Sequence, residues 1–559
     1  MKQPLDGGTP SRVGSNGKSN GADLVGRHKR LGWRAVMVSA LTLVSRVLGL
    51  LREKLSAFLF GDTSAVFDAF ITAWRVPNLF RRFLGEGALS TAFQTAQTES
   101  EGTHGPEAGR RLFLDTARLL TGILLGVMVV TMGAVALMPD HMPVTGWAWL
   151  GADPEPVREL TLRVMPFVLL VCLSALAAGA LHVRAKFGPP AWAPACMNVV
   201  WIATLLLLVW NKDERPPGLE RDLEWTRFLA WGVLFAGVVQ LAVQIPALRR
   251  EGLLAGKTPP PPRPSGAPGA WTVLKRSAPL AIGAAVYQLN VMIDGLMAEG
   301  LLPDGGPTCH YYAGRLQQFP LAMIAVAATS AVFPLLQAHA HGGDFRATRD
   351  LHDRTQRAIA FLALPATFGL WALAEPVVWA CIGGGGFGIE GVERTSLALR
   401  ALTLAILPAG AMGLVARTYY SMGDMKTPVR VSCTMLVANV GLNLLFIRGF
   451  GMDVEGLAYA SAITTWGGLV LLFPGLGGRL GLPTRDVPLL GPLLRMALAA
   501  AVCGLAAGAA HHYGRGPLGS LGALVLSICV GVLAYAGTAA ALSIDELDAL
   551  KKRLFRKSL

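Results

Sequence analysis

Positively charged side chains recur inside segments of this sequence that are otherwise apolar. The arginines are Arg46, Arg52, Arg75, Arg81, Arg82 and Arg315, and the acids of the same segments are Glu53, Asp68 and Glu86. A charged side chain at the centre of a bilayer costs at least about 2.5 kcal/mol, so these groups must face protein, water or an anionic ligand. The arginines outnumber the acids, and a guanidinium pairs bidentately with phosphate oxygens. The pattern therefore predicts a site for a phosphate-bearing molecule.

Three structural explanations compete with this prediction. Arg81 or Arg82, and also Lys54, could extend along the long stem of the side chain to the headgroups near a helix end. Arg46 could pair with Glu53, one heptad away, and Arg82 with Glu86 at i, i+4 spacing. A water-filled channel would hold arginines without any ligand. For one arginine these explanations are as good as the functional one, but the surplus of arginine over acid favours function for the set.

A second group of polar residues lies in two later apolar segments. Asp294 is in YQLNVMIDGLMA, and Asn439 and Asn443 are in VANVGLNLLF. The two asparagines are four residues apart, which places them on one helix face. A carboxylate and two amide oxygens suit a small hard cation such as sodium, whereas hydrogen bonding between helices is the structural alternative. These three residues form the predicted cation site.

The elements that carry these residues are membrane-spanning helices. Apolar residues make up 52% of the 559 residues and charged residues only 15%, whereas soluble domains carry about a quarter charged residues. Segments long enough to span a bilayer, numbered spans 1 to 14, lie at 33–60, 65–98, 112–138, 157–186, 190–210, 226–248, 272–301, 309–339, 355–374, 393–422, 428–448, 453–476, 488–511 and 518–542. The fold class is therefore an all-α polytopic membrane protein of about fourteen helices.

Lys and Arg concentrate in alternate loops, which predicts that both termini are cytoplasmic. A segment rich in Pro and Gly follows span 6 and has the composition of a linker. The predicted divisions are a disordered cytoplasmic tail at 1–32, an N-lobe at 33–250, a cytoplasmic linker at 251–270, a C-lobe at 271–476, spans 13 and 14 at 477–545, and a basic cytoplasmic tail at 546–559.

Other classes of function have no support in the sequence. The net charge of +14 lies in short segments between apolar runs, so nucleic acid is not an expected partner. The seven cysteines stand singly, without zinc-ligand spacing. There is no nucleotide-binding loop and no nucleophile constellation. We expect a transporter, with no catalytic residues, no metal site and no cofactor other than a coupled monovalent cation such as sodium.

Four stretches resemble one known family. They are SRVLGLLRE at 45–53, FDAF at 67–70, RVPNLFRRFLGEGALSTAF at 75–93 and RLQQFP at 315–320. With the number and order of spans over about 33–545, they resemble the MurJ (MviN-type) lipid II flippases of the multidrug/oligosaccharidyl-lipid/polysaccharide exporter superfamily. The resemblance implies two pseudo-symmetric six-helix lobes around a cationic central cavity, and two C-terminal helices that form a groove for the polyprenyl tail.

The resemblance also implies roles for individual residues. Arg46 and Arg52 match the family's cavity arginines of span 1, either Arg81 or Arg82 matches that of span 2, and Arg315 matches that of span 8. Glu53 stands where the family usually has Asp, while Asp68 and Glu86 match its acids of span 2. The chain departs from the family at Gly314 and Gln318, where relatives often carry acids beside this arginine.

The function implied is translocation of lipid II from the cytoplasmic to the periplasmic leaflet of the bacterial inner membrane by alternating access. Lipid II and membrane lipids are the expected partners, and the cell-wall synthesis machinery is a further one. The alternatives are a flippase for another polyprenyl-diphosphate glycan, a cation-coupled multidrug exporter, and a membrane scaffold or channel that transports nothing. A drug exporter would need a cavity of carboxylates and aromatic rings, so the arginines favour a flippase.

Overall fold

The computed structural model describes residues 19–81, 88–137, 154–211, 218–254, 262–329, 332–479 and 490–555. Within these ranges the chain is a series of α-helices joined by turns, with one isolated β-bridge between Gly384 and Phe387. The all-α fold class predicted from composition is confirmed.

The helices of the N-terminal half are α1 Ser19–Phe60, α2 Ala65–Phe80, α3 Ala88–His104, α4 Pro106–Ala136, α5 Pro154–Val164, α6 Phe167–Val183, α7 Gly188–Trp210, α8 Leu219–Ala242 and α9 Ile245–Arg250. Those of the C-terminal half are α10 Ala270–Leu301, α11 Gly306–Thr329, α12 Phe333–His341, α13 Phe345–Ala372, α14 Ala374–Cys381, α15 Ile389–Thr403, α16 Ile406–Ser421, α17 Lys426–Leu444, α18 Val454–Arg479, α19 Leu490–Ala541 and α20 Asp545–Phe555. A π-helical turn, Leu445–Gly449, continues α17.

The first two predicted spans differ from the structure at their ends. Helix α1 begins at Ser19, inside the segment predicted to be a disordered tail. Residues 19–32 contain no proline and adjoin a long apolar helix, and extending a formed helix costs less than starting one. Predicted span 2 consists of two helices, α2 and α3, and residues 82–87 between them lie outside the described ranges.

Seven of the described helices or helix pairs are long and apolar enough to cross a membrane, and two bent pairs raise the number to nine. The bent pairs are α13 with α14, at 78°, and α15 with α16, at 41°. The chain is therefore a multi-pass membrane protein, and the number fourteen stays a prediction.

Helix α19 is broken near its middle. Gly519 has a φ of +68°, and Pro517 lies just before it. A Cβ built on Gly514 would lie 3.5 Å from Cβ of Ala523, so the two halves of α19 pack antiparallel. This hairpin packs on α13, where Tyr535 donates a hydrogen bond of 2.7 Å to the carbonyl of Phe361.

The remaining helices pack mostly within each half of the chain. In the N-terminal half α1 packs on α7 and α7 on α8, and in the C-terminal half α15 packs on α11 and α18. Contacts between the halves include those of α2, α3 and α4 with α10, of α2 with α11, and of α1 with α14. We keep the names N-lobe and C-lobe for the two halves, and the candidate site lies where they meet.

Candidate functional site

A cavity of about 170 Å³ lies between the lobes. Both lobes supply its polar walls, which include Arg75 and Asn78 from α2, Asp294 from α10, Tyr311 and Arg315 from α11, and Ser461 from α18. Two of the six arginines predicted from the sequence, Arg75 and Arg315, thus face one cavity from opposite lobes.

Arg315 is held by an acid of the other lobe and a tyrosine of its own helix. Its Nη2 donates to Tyr311 Oη at 2.9 Å, and its Nε lies 3.8 Å from Oε1 of Glu53. Tyr311 Oη donates to the same carboxylate oxygen at 3.1 Å. The flanking positions Gly314 and Gln318 carry no charge, so in this chain the acid paired with Arg315 comes from α1.

Arg52 is buried behind this group rather than in the cavity wall. Its Nη2 pairs with Glu53, its Nη1 donates to Asn198 Oδ1 at 3.1 Å, and its guanidinium stacks 4.5 Å above the ring of Trp201. The suggested pair of Arg46 with Glu53 is wrong, because Glu53 pairs with Arg52 and faces Arg315. The side chain of Arg46 is exposed on the surface of the protein.

Arg46 lies 5.8 Å from the centre of the Phe319 ring, on α11 of the other lobe. Arg81 is half-buried at the end of α2. Arg82 and Glu86, predicted as a cavity arginine and a cavity acid, lie outside the described residues. The structure therefore places Arg75 and Arg315 in the cavity wall, Arg52 behind Arg315, and Arg46 at a contact between the lobes.

The residues of the predicted cation site lie together. Asn443 Nδ2 donates to Asp294 Oδ1 at 2.9 Å and to Asn439 Oδ1 at 3.1 Å. Ser461 and Asn290 donate to the other carboxylate oxygen of Asp294, at 2.8 and 3.3 Å. Asp294, Asn439 and Asn443 are buried, and Asp294 also lines the cavity.

Asp68, predicted as a cavity acid, lies at a contact between the lobes instead. Its carboxylate accepts hydrogen bonds from the backbone N–H groups of Gly305 and Thr308, at 2.5 and 2.9 Å, and from the Thr308 hydroxyl. These groups form the N-terminus of α11, where unpaired N–H groups and the helix dipole favour an anion. An N-lobe carboxylate therefore caps a C-lobe helix.

Asp62 makes a second contact of the same kind. Its Oδ2 accepts from Gly391 N at 2.6 Å, at the N-terminus of α15. Lys54 donates to the carbonyl of Ala380 at 2.8 Å, and the backbone N–H of Gly386 donates to the carbonyl of Phe58 at 2.9 Å. These groups lie at or within two turns of the helix ends that the charge pattern predicts to face the periplasm. We call this set of contacts the lobe seam.

The sequence reasoning missed Asp62, Glu299 and Tyr311. Thr72 of α2 donates to Glu299 of α10 at 2.7 Å, across the lobes. Glu299 lies in the same apolar segment as Asp294, two residues before its end, so the search for charges inside spans could have included it. Asp62 stands in a polar turn between two spans, and nothing in its local sequence distinguishes it from a solvated loop residue.

A family model described as "Lipid II flippase MurJ" matches residues 56–523. A protein described as a probable lipid II flippase MurJ from Vibrio cholerae is 32% identical over 464 residues, covering 80% of this chain and 83% of the relative. One with the same description from Bdellovibrio bacteriovorus is 30% identical over 532 residues, covering 93% and 96%.

Two solved structures share the fold. A lipid II flippase MurJ in an inward closed conformation matches with a TM-score of 0.69 and 20% identity, covering 91% of this chain and 99% of that one. An inward-facing multidrug resistance transporter of the MATE family matches with a TM-score of 0.63 and 12% identity, covering 80% and 98%.

Proposed function

The chain belongs to the lipid II flippase MurJ family, and we propose that it moves lipid II across the membrane by alternating access to the cavity between its lobes. It is accordingly a transporter and not an enzyme. The observation that supports a phosphate-bearing substrate is the pair of arginines, Arg75 and Arg315, that face one cavity from opposite lobes. Guanidinium groups suit a diphosphate because each can pair with two oxygens.

Arg315 is the arginine that we assign to the diphosphate most directly. It lines the cavity, and its side chain is 30% exposed there. Arg52 contributes from behind the cavity wall, because it pairs with Glu53, the carboxylate that Arg315 faces. Arg46, over Phe319 at the edge of the lobe contact, would meet a headgroup that enters between the lobes.

Alternating access requires the lobe seam to open and close. In this structure the seam is closed by backbone and carboxylate hydrogen bonds at Asp62, Asp68 and Lys54. A separate contact between the lobes joins Arg276 of α10 to Glu99 of α3 at 2.7 Å, and both side chains there are nearly half exposed. We infer that transport alternates between a seam that is closed, as here, and one that is open.

Net transport needs a driving force, because a ligand that binds both conformations of a carrier equally well does not shift the balance between them. The inward passage of one monovalent cation supplies about 2.3 kcal/mol per 100 mV of membrane potential. We propose that the cation binds at Asp294, and the donor set there fits it. Asn443 is fully buried, and its Oδ1 has no hydrogen-bond partner among the described residues. Rotating this amide by half a turn would bring the oxygen toward the carboxylate, which is the arrangement that a cation requires.

We place the protein in the bacterial inner membrane with both termini in the cytoplasm, and the cell-wall synthesis machinery is a proposed partner. The hairpin of α19 on α13 is the proposed groove for the polyprenyl tail. The segment 251–270, which joins the lobes, is the proposed linker.

The test is complementation of bacteria depleted of their own flippase. The wild type should restore growth and lipid II accessible at the cell surface. Arg315→Ala should accumulate in the membrane and fail, and Arg315→Lys should restore activity only in part because it loses bidentate pairing. The matched control is Arg118→Ala, whose side chain is 73% exposed on α4 and should be fully active. Normal growth with Arg315→Ala would overturn the assignment of the phosphate site. Failure of the wild type to restore surface lipid II would point to another polyprenyl-diphosphate glycan.

A further inference from the structure

Arg75 extends from the N-lobe into the wall of the C-lobe. Its Nη1 donates to the carbonyl of Val291 at 3.4 Å. Its stem and guanidinium lie on Gly295, where an added Cβ would overlap Cδ, Nε and Cζ of Arg75. The missing side chain at Gly295 is thus what lets an N-lobe arginine lie flat on helix α10.

This position sets Arg75 among other charged groups. Asp294 and Glu299 lie on either side of Gly295 on α10, and Arg315 and Tyr311 line the same cavity as Arg75. The Tyr311 hydroxyl is already bonded to Glu53 and Arg315. Asp294, the acid of the cation site, therefore has a cationic neighbour from the other lobe.

Arg75 and Asp294 line the same cavity, and Arg75 lies on Gly295, the residue next to Asp294, but no salt bridge or hydrogen bond joins the two side chains. Both oxygens of Asp294 accept from Asn443, Ser461 and Asn290, and none of these bonds comes from Arg75. The Nε and Nη2 groups of Arg75 are buried and have no hydrogen-bond partner among the described residues. Buried donors are rarely left unpaired in native proteins. A ligand's oxygens could therefore accept hydrogen bonds from Nε and Nη2 of Arg75 without breaking a bond that these groups already make.

We propose that Arg75 couples the two ligands: its guanidinium and a monovalent cation compete for the negative charge of Asp294, so that cation binding frees Arg75 to bind the anionic headgroup. The inference rests on the proposed function, which supplies the headgroup and the cation. By linkage, the factor by which the cation raises the affinity of Arg75 for a diphosphate equals the factor by which the diphosphate raises the affinity of Asp294 for the cation. Because Arg75 and Asp294 are on opposite lobes, rocking of the lobes changes their separation and hence this competition.

The experiment measures sodium binding rather than transport. The purified protein in detergent is titrated with NaCl against choline chloride at constant ionic strength, and the midpoint of thermal unfolding gives the apparent sodium affinity. Arg75→Gln should bind sodium about tenfold more tightly than the wild type, within the usual range of coupling between sites. Arg75→Lys keeps the charge and should behave as the wild type does. Inorganic pyrophosphate should tighten sodium binding to the wild type and have no such effect on Arg75→Gln.

The control for net charge is Arg118→Gln, which removes an exposed positive charge that does not line the cavity and should leave sodium binding unchanged. An unchanged sodium affinity in Arg75→Gln would overturn the proposal. The proposal also fails if Arg118→Gln tightens binding equally, or if sodium stabilises none of these proteins. Restoration of surface lipid II by the wild type in cells is measured separately, so the proposed function can survive the loss of this inference.

Discussion

Replacing Asp68 by asparagine should open the lobe seam. The carboxylate accepts from Gly305 N, Thr308 N and the Thr308 hydroxyl. Asparagine keeps one oxygen, which can still accept from Thr308, but its amide group would turn an N–H toward the N–H of Gly305. A hydrogen bond to a charged group contributes about 1.5–3 kcal/mol, and the negative charge at the helix N-terminus contributes about 0.3–1 kcal/mol more.

The substitution therefore weakens the closed state by about 2–4 kcal/mol. Since about 1.4 kcal/mol is a factor of ten, 2 kcal/mol multiplies the ratio of open to closed molecules about thirtyfold. A minor open state populated at about 1% would rise to roughly a quarter.

The assay is a distance measurement by double electron–electron resonance. Thr63 and Glu390 are exposed residues on opposite sides of the seam, and each is replaced by a spin-labelled cysteine after the seven native cysteines are removed. The matched control is Asp344→Asn, because Asp344 caps α13 within one lobe by accepting from Ala347 N at 2.9 Å. A distance distribution in Asp68→Asn that equals that of the wild type would refute the reasoning. Equal broadening in Asp344→Asn would show a general loss of order instead.

Three further predictions concern other contacts. Gly391→Ala should lengthen the same distance, because the added Cβ would overlap Oδ2 of Asp62; an unchanged distribution would count against the role of the seam. Asp294→Asn should abolish any sodium dependence of lipid II transport, since it removes the charge that attracts the ion, and a persisting dependence would exclude this site. Tyr535→Phe should lower the unfolding midpoint, because the carbonyl of Phe361 loses its 2.7 Å hydrogen bond at a cost of about 1 kcal/mol; a midpoint equal to that of the wild type would place little stability in the contact of α19 with α13.

Part of the site followed from local sequence. Arg75 and Arg315 could be identified because a guanidinium inside an apolar helix is costly wherever that helix lies in the membrane. The spacing of Asn439 and Asn443 determined that they share a helix face, and the structure adds that their amides are hydrogen-bonded and reach Asp294.

The rest depended on which helices meet. Arg52 and Arg315 have the same side chain in similar apolar surroundings, yet one is buried against Asn198 and Trp201 and the other lines the cavity. Asp68 is an acid inside an apolar segment, as a cavity acid would be, but it caps α11 of the other lobe.

The sequence by itself determined that the chain is a helical membrane protein with surplus arginine in its spans, because the cost of burial depends on residue type and on the length of each apolar run. Only the tertiary structure decided which charges pair, which remain available to a ligand and which close the seam. Those outcomes depend on distances of a few ångströms between residues far apart in the chain, and electrostatic and hydrogen-bond energies vary steeply over that range.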